Sequence, residues 1–206
     1  MIAYIFSLIV NFILEVINKG GYLGVFILMA LESCNIPIPS EVVMPFSGFL
    51  VHQKIFSLVV LAVIGALGNL FGSLVSYFIA FKLKDGVKGF FEKSKFFYHD
   101  YIKAENFFNR FGEKSILIAR VLPIVRTYIS FPAGFFKVNL FKFSIYTFFG
   151  SLVWSYFLAY LGFYLGENWQ ILEGYLRRFD YLILIVIVGI LCYYIFRKIK
   201  EIKSRS

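Results

Sequence analysis

Leu31-Glu-Ser-Cys-Asn-Ile-Pro37-Ile-Pro39-Ser-Glu41-Val-Val-Met-Pro45-Phe-Ser-Gly-Phe-Leu50 lies in apolar surroundings yet carries two carboxylates, Glu32 and Glu41, and three prolines. Proline has no N–H, clashes with the preceding turn and pushes the residue before it out of the α region. No straight helix therefore crosses residues 36–39. Backbone broken in this way cannot face lipid, where every unpaired polar group is costly, and survives at membrane depth only against protein or a wet cavity. The spacing predicts two half-length helices, 22–35 and 40–51, each shorter than the ~20 residues a crossing needs. Together they form a re-entrant hairpin over residues 22–52, with Pro37 and Pro39 at its break.

A second stretch answers the first: Arg120-Val-Leu-Pro123-Ile-Val-Arg126-Thr127-Tyr-Ile-Ser130-Phe-Pro132-Ala-Gly134-Phe135 is again apolar and proline-broken, but its charges are positive. A shift of 86 positions lays Pro37 on Pro123, Gly48 on Gly134 and Phe49 on Phe135, and sets Ser40 against Arg126. Downstream, residues 72–81 and 150–160 echo each other at an offset of 78 or 79. We read this as an internal duplication. Residues 22–82 form the first repeat, with a span over 55–81. Residues 115–165 form the second, with a hairpin over 115–136, broken at Pro123, Pro132 and Gly134, and a span over 143–165. A further span is predicted at 181–197.

Composition agrees. The chain is 60% hydrophobic, 21% aromatic and 16% charged, with a mean hydropathy of +0.78. Soluble domains carry about 45–50% apolar and about 25% charged residues. We therefore expect one all-α polytopic membrane domain over residues 1–206. The net charge of +9 does not point to nucleic acid, because the basic residues cluster at the ends of apolar segments. Cys34 and Cys192 both sit inside apolar stretches and read as packing residues, with no disulfide or metal framework.

The first seventeen residues lack the charged start and cleavage site of a secretory signal and are kept as structure, either spanning or lying in the interface. The break Lys19-Gly20-Gly21 follows. The span 55–81 carries Gly65, Gly68 and Gly72, and its counterpart carries Gly150, small residues that let helices approach closely. Residues 83–114 interleave Lys and Arg with aromatics, a composition suited to amphipathic helices at a membrane surface. Basic residues concentrate in that segment, at Lys137 and Lys142, and in the tail after Phe196. The positive-inside rule puts them in the cytoplasm with the C-terminus. The two hairpins then enter from opposite faces, which makes the repeats inverted, as in many secondary transporters.

Arg120 and Arg126 are the sharpest chemical signal. A guanidinium stays protonated, binds phosphate through two parallel hydrogen bonds and is costly in apolar surroundings. With Thr127 and the backbone after Pro123 they suit an anionic headgroup. The plainer alternative is that they pair with Glu32 and Glu41 and hold the hairpins together. Either acid could change protonation as its surroundings open and close, which admits proton coupling. Asn69 reads as an interhelical hydrogen bond and Trp154 as packing or interface anchoring. No Ser–His–Asp set, metal-spaced cluster, Walker A loop or GxGxxG occurs, so no enzyme, catalytic residue, metal or cofactor is expected.

Glu32-x4-Pro37-x-Pro39-x-Glu41, Arg120-x2-Pro123-x2-Arg126-Thr127, Ala133-Gly134, Gly150-Ser151 and Trp154 resemble the DedA family, which shares its domain with the SNARE-associated and VTT proteins. The resemblance implies re-entrant hairpins in inverted repeats. It also implies a flippase or scramblase of the bacterial inner membrane that moves undecaprenyl phosphate or glycerophospholipids, with dependence on the proton motive force. By position, Glu32 and Glu41 match the family's membrane acids, and Arg120 and Arg126 match its arginines. Many members carry Asp near Asn69, which departs from that pattern. Two rivals stand beside this reading: a proton-coupled exporter of small solutes and a non-transporting assembly factor. Homo-oligomerisation, the lipid and the direction are left open.

Overall fold

Among the described residues the apolar runs form seven helices, four of which are followed by a residue with left-handed backbone. In the computed structural model, which describes residues 2–36, 38–93, 114–121 and 125–166, they are α1 (Ile2–Ser33), α2 (Ser40–His52), α3 (Leu58–Lys93), α4 (Lys114–Val121), α5 (Val125–Tyr128), α6 (Ser130–Phe135) and α7 (Leu140–Leu165). Pro37, Pro123, the predicted span 181–197 and residues 94–113 of the amphipathic segment lie outside the described residues.

Asn35, Lys54 and Lys137 have φ of 68°, 62° and 55°, and they follow α1, α2 and α6. After each, the next N–H reaches back five residues: Ile36 to the Leu31 carbonyl at 3.2 Å, Ile55 to Leu50 at 2.9 Å and Val138 to Ala133 at 3.0 Å. These closures satisfy carbonyls that a helix end would otherwise leave bare. Within α1, Gly21 has φ 56° and ψ −134°, so residues 2–20 and 22–33 are two arms meeting at the predicted break. The bend is tight enough that a Cβ on Gly24 would collide with the Val16 carbonyl oxygen. Pro39 (φ −78°, ψ 110°) is extended and opens α2.

Among the described residues three segments are long and apolar enough to cross a membrane: Leu8–Ser33, which includes the Gly21 bend, Leu58–Leu83 and Leu140–Leu165. Two of the helices outrun their predicted bounds. α3 continues past Phe81 through Lys93, because nothing between them stops a helix. α7 begins at Leu140, where the Asn139 side chain caps it by accepting from the Lys142 N–H at 3.1 Å. Pro132 and Gly134 correct the sequence reading, which placed them at a break. Both lie inside α6, with Pro132 in its first turn, where a missing N–H costs little. Ile129, between α5 and α6, keeps helical dihedrals (φ −60°, ψ −23°); its N–H donates to the Val125 carbonyl at 3.0 Å and its carbonyl accepts from the Ala133 N–H at 3.1 Å.

Packing alternates. α1 lies on α3 and α4 on α7, while α2 lies on α7 and α6 on α3. Glycines mark the crossings, and most press on backbone. A Cβ would collide with the Ala30 carbonyl oxygen at Gly72, with Ala159 at Gly48, with Pro45 at Gly162 and with Tyr77 at Gly134. The polarity is turned inside out relative to a soluble domain. Ser40, Ser47, Ser73, Ser130, Thr147 and Ser155 are buried, whereas Val59, Phe71, Phe141, Phe149, Val153 and Tyr164 are exposed. An apolar exterior of this extent suits lipid as the solvent.

Candidate functional site

Arg126 is delivered by the four-residue α5 to the break between α1 and α2. Glu32 occupies the last turn of α1, and Ser40 and Glu41 the first turn of α2. Arg126 Nη2 donates to Glu32 Oε1 at 2.6 Å and to Ser40 Oγ, and lies 3.8 Å from Glu41 Oε1. Ser40 Oγ in turn donates to Glu41 Oε2 at 3.2 Å. Arg126 is 4% exposed and Glu32 5%, so this ion pair is out of solvent, while Glu41 is only partly covered. Ser40, the residue that the sequence duplication sets against Arg126, is the one whose hydroxyl touches it.

The indole of Trp154, on α7, lies against the guanidinium, with Arg126 Cζ 4.9 Å from the ring centroid. Sequence reasoning assigned Trp154 to packing. Nothing in its spacing could reveal a cation–π partner on a segment 28 residues earlier. The site is incompletely satisfied. Glu32 Oε2, Arg126 Nε and Trp154 Nε1 are buried and make no hydrogen bond.

Arg120 sits behind this pair on α4 and is differently solvated. Its Nη1 donates to the Arg126 carbonyl at 2.8 Å. Its Nη2 donates to Ser73, Ser130 and Thr147 hydroxyls at 2.9, 2.7 and 3.2 Å. Among the described residues no carboxylate lies within ion-pair distance of it. The expectation that either arginine pairs with the acids therefore describes Arg126 and not Arg120. Gly150 makes room for it, since a Cβ there would come 2.6 Å from Arg120 Cβ. Arg126 thus joins α5 to α1, α2 and α7, and Arg120 joins α4 to α3, α6 and α7.

Because one guanidinium serves a carbonyl and three hydroxyls, Arg120→Lys is expected to destabilise the folded protein by about 1.5–3 kcal/mol, as a point ammonium cannot hold that fork. Thermal unfolding in detergent measures this. An unchanged midpoint would show that the hydroxyl cage is not structural.

The remaining residues singled out from sequence fall around this centre. Thr127 is half-buried on α5. Asn69, on α3, accepts from the Ser33 hydroxyl at 2.7 Å, and Asn35 from Ser76 at 2.9 Å. Gly65 meets the Met44 side chain and the Ser155 hydroxyl, and Gly68 meets α1 at Phe26 and Met29. An apolar groove of about 360 Å³ is lined by Asn35, Val125, Tyr128, Ile129, Phe131 and Pro132. No group of three His, Cys, Asp or Glu side chains that could hold a metal occurs among the described residues.

Comparison with known proteins follows the same residues. The VTT domain model matches residues 38–164, which include all of α2 to α6 and nearly all of α7. A Lactococcus lactis protein named alkaline phosphatase-like is 34% identical over 87% of this chain and 86% of its own length. Undecaprenyl phosphate transporter A of Bacillus subtilis is 28% identical over 96% of this chain and 98% of its own. Protein DedA of Escherichia coli is 30% identical over 56% of this chain and 50% of its own. No solved structure matches. With a domain match over most of its length, relatives that align nearly end to end, and three apolar segments long enough to cross a bilayer, the chain belongs to the VTT-domain family as a multi-pass membrane protein of the DedA type.

Proposed function

We propose that this chain is a lipid transporter that carries a phosphate-bearing lipid, undecaprenyl phosphate or a glycerophospholipid, between the leaflets of the bacterial inner membrane. The observation that carries the reading is the Arg126–Glu32 pair: a guanidinium held out of water at a broken backbone, with Nε and one carboxylate oxygen unsatisfied. A phosphate monoester or diester is a bidentate acceptor of the kind that guanidinium prefers. Relatives named for undecaprenyl phosphate transport support the substrate class.

The packing supports two re-entrant hairpins in inverted repeats. In each half the first arm lies on its own span, α1 on α3 and α4 on α7, and the second arm lies on the other half's span, α2 on α7 and α6 on α3. Such an exchange brings Arg126 and Ser40 together across the repeat. In this reading Arg126 binds the headgroup, and Arg120 holds the Arg126 carbonyl and so sets its position. The groove beside Val125 takes the first carbons of the tail. Glu32 and Glu41 exchange Arg126 for the substrate and supply a site for proton coupling. The C-terminus lies in the cytoplasm.

Proteoliposomes loaded with labelled undecaprenyl phosphate or phosphatidylglycerol test this by headgroup accessibility at the outer leaflet. Arg126→Lys is expected to lower translocation at least ~10-fold, since an ammonium keeps the charge but loses the two-point contact. Wild-type rates in this variant would discard the headgroup role of Arg126, and no translocation by the unmodified protein would favour an assembly factor. Full lipid independence with sensitivity to the proton gradient would favour a small-solute exporter.

A further inference from the structure

We propose that Trp154 is a second donor of the phosphate site, binding the substrate oxyanion through its indole N–H while its ring face holds Arg126 in place. The assignment rests on the headgroup reading above and names a residue that contacts the same anion.

A ring chosen for packing alone would be served by phenylalanine, which has no polar atom to strand. Trp154 instead carries an N–H that is buried without an acceptor, a condition that costs free energy unless something completes it. The ring that carries it lies against Arg126, whose Cζ is 4.9 Å from the ring centroid. In the closed pair, Arg126 Nη2 serves Glu32 and Ser40, while Arg126 Nε is left over. Two neighbouring side chains, with Arg126 Cζ 4.9 Å from the indole centroid, therefore each carry a buried N–H donor, Nε–H and indole N–H, with no acceptor. Glu32 Oε2 is a buried acceptor that is also left over. A tetrahedral oxyanion offers several acceptor oxygens, one for each of these donors.

The ring has a further consequence. When Glu32 releases Arg126 to a substrate, the guanidinium loses its strongest partner. The indole face continues to attract it, because that attraction does not depend on the carboxylate. Arg126 then stays at the break during exchange. Glu41, 3.8 Å from Nη2, is the other charge facing this centre, and the Arg120 guanidinium stands behind it at the Arg126 carbonyl.

The test uses the full chain in maltoside micelles, which contain no phosphate. Trp169→Phe leaves Trp154 as the sole tryptophan of the two, so its emission reports the site. Dodecyl phosphate, dodecanol and inorganic phosphate are titrated in turn, and binding is followed independently by equilibrium dialysis. Dodecyl phosphate is expected to shift the emission saturably, and dodecanol to leave it unchanged. Trp154→Phe, which keeps a ring face but removes the N–H, is expected to bind dodecyl phosphate about 10-fold more weakly, the loss of one hydrogen bond to a charged group. Trp154→Leu, which removes both, is expected to bind more weakly still. A response to inorganic phosphate equal to that of dodecyl phosphate would uphold Trp154 as a donor and assign the site to soluble anions. Unchanged affinity in Trp154→Phe, or constant emission while binding saturates, overturns the Trp154 role and leaves the headgroup reading standing. Failure of the Trp154-containing protein to bind dodecyl phosphate at all overturns both.

Discussion

Arg126→Ala is expected to destabilise the protein by about 3–5 kcal/mol and to abolish translocation, because it strands Glu32 in a site that excludes water. Glu32 is 5% exposed and takes its hydrogen bond from Arg126 at 2.6 Å. Removing the cation leaves a buried carboxylate beside Ser40 and Glu41 without its counter-charge. The double variant Arg126→Gln/Glu32→Gln removes both charges and keeps hydrogen-bonding groups of similar size. It is expected to recover most of the lost stability, since replacing a whole buried pair is often nearly neutral. Transport should not recover. A double-mutant cycle of unfolding in detergent, run beside translocation in proteoliposomes, separates the two roles. Full recovery of transport in the double variant would reduce the pair to a structural clasp. A single variant as stable as the wild type would mean that the ion pair is not formed in the membrane.

Gly48→Ala and Gly162→Ala are expected to be nearly as severe, although neither residue has any chemistry. A methyl on Gly48 would run into the Ala159 carbonyl oxygen, and one on Gly162 into the Pro45 carbonyl oxygen. These two contacts define the crossing of α2 with α7. A backbone neighbour cannot swing aside as a side chain can, so the helices must separate, at a cost of about 1–3 kcal/mol or more each. Because α2 carries Ser40 and Glu41 and α7 carries Trp154, the separation would also open the site. Gly65→Ala is the informative contrast. Its methyl would meet the Met44 thioether at 3.0 Å and the Ser155 hydroxyl at 3.0 Å, atoms able to adjust. Gly20→Ala meets nothing within 4 Å inside a helix. It is expected to stabilise slightly, by about 0.5–1 kcal/mol. Ranking the four variants by melting temperature checks the argument, and equal losses at Gly48 and Gly65 would refute it.

Glycine shows where reading the chain stops. Gly65, Gly68, Gly72 and Gly150 could be singled out because their spacing marks one helix face or its echo. The sequence says nothing of what each faces. Gly72 meets backbone, Gly65 a flexible thioether and Gly150 the root of Arg120. Gly134 looked like a chain breaker beside Pro132. It is a helical residue whose missing side chain admits the Tyr77 carbonyl. The arginines divide in the same way. Both were legible as costly charges in apolar surroundings. Only coordinates could show that Arg126 finds carboxylates while Arg120 finds Ser73, Ser130 and Thr147.

What the chain by itself determined was the set of local facts: apolar runs long enough to cross a bilayer, breaks at Pro39 and at Gly21, and acids and arginines set within those apolar runs. These follow from bonds and solvation within a few residues, and such constraints are written in order along the sequence. The tertiary structure decided the partners: which acid takes Arg126, why Trp154 lies on it, and which glycines bear backbone. Pairings between residues 28 to 94 positions apart depend on how helices cross. A crossing is set by the fit of whole surfaces, which no local pattern encodes.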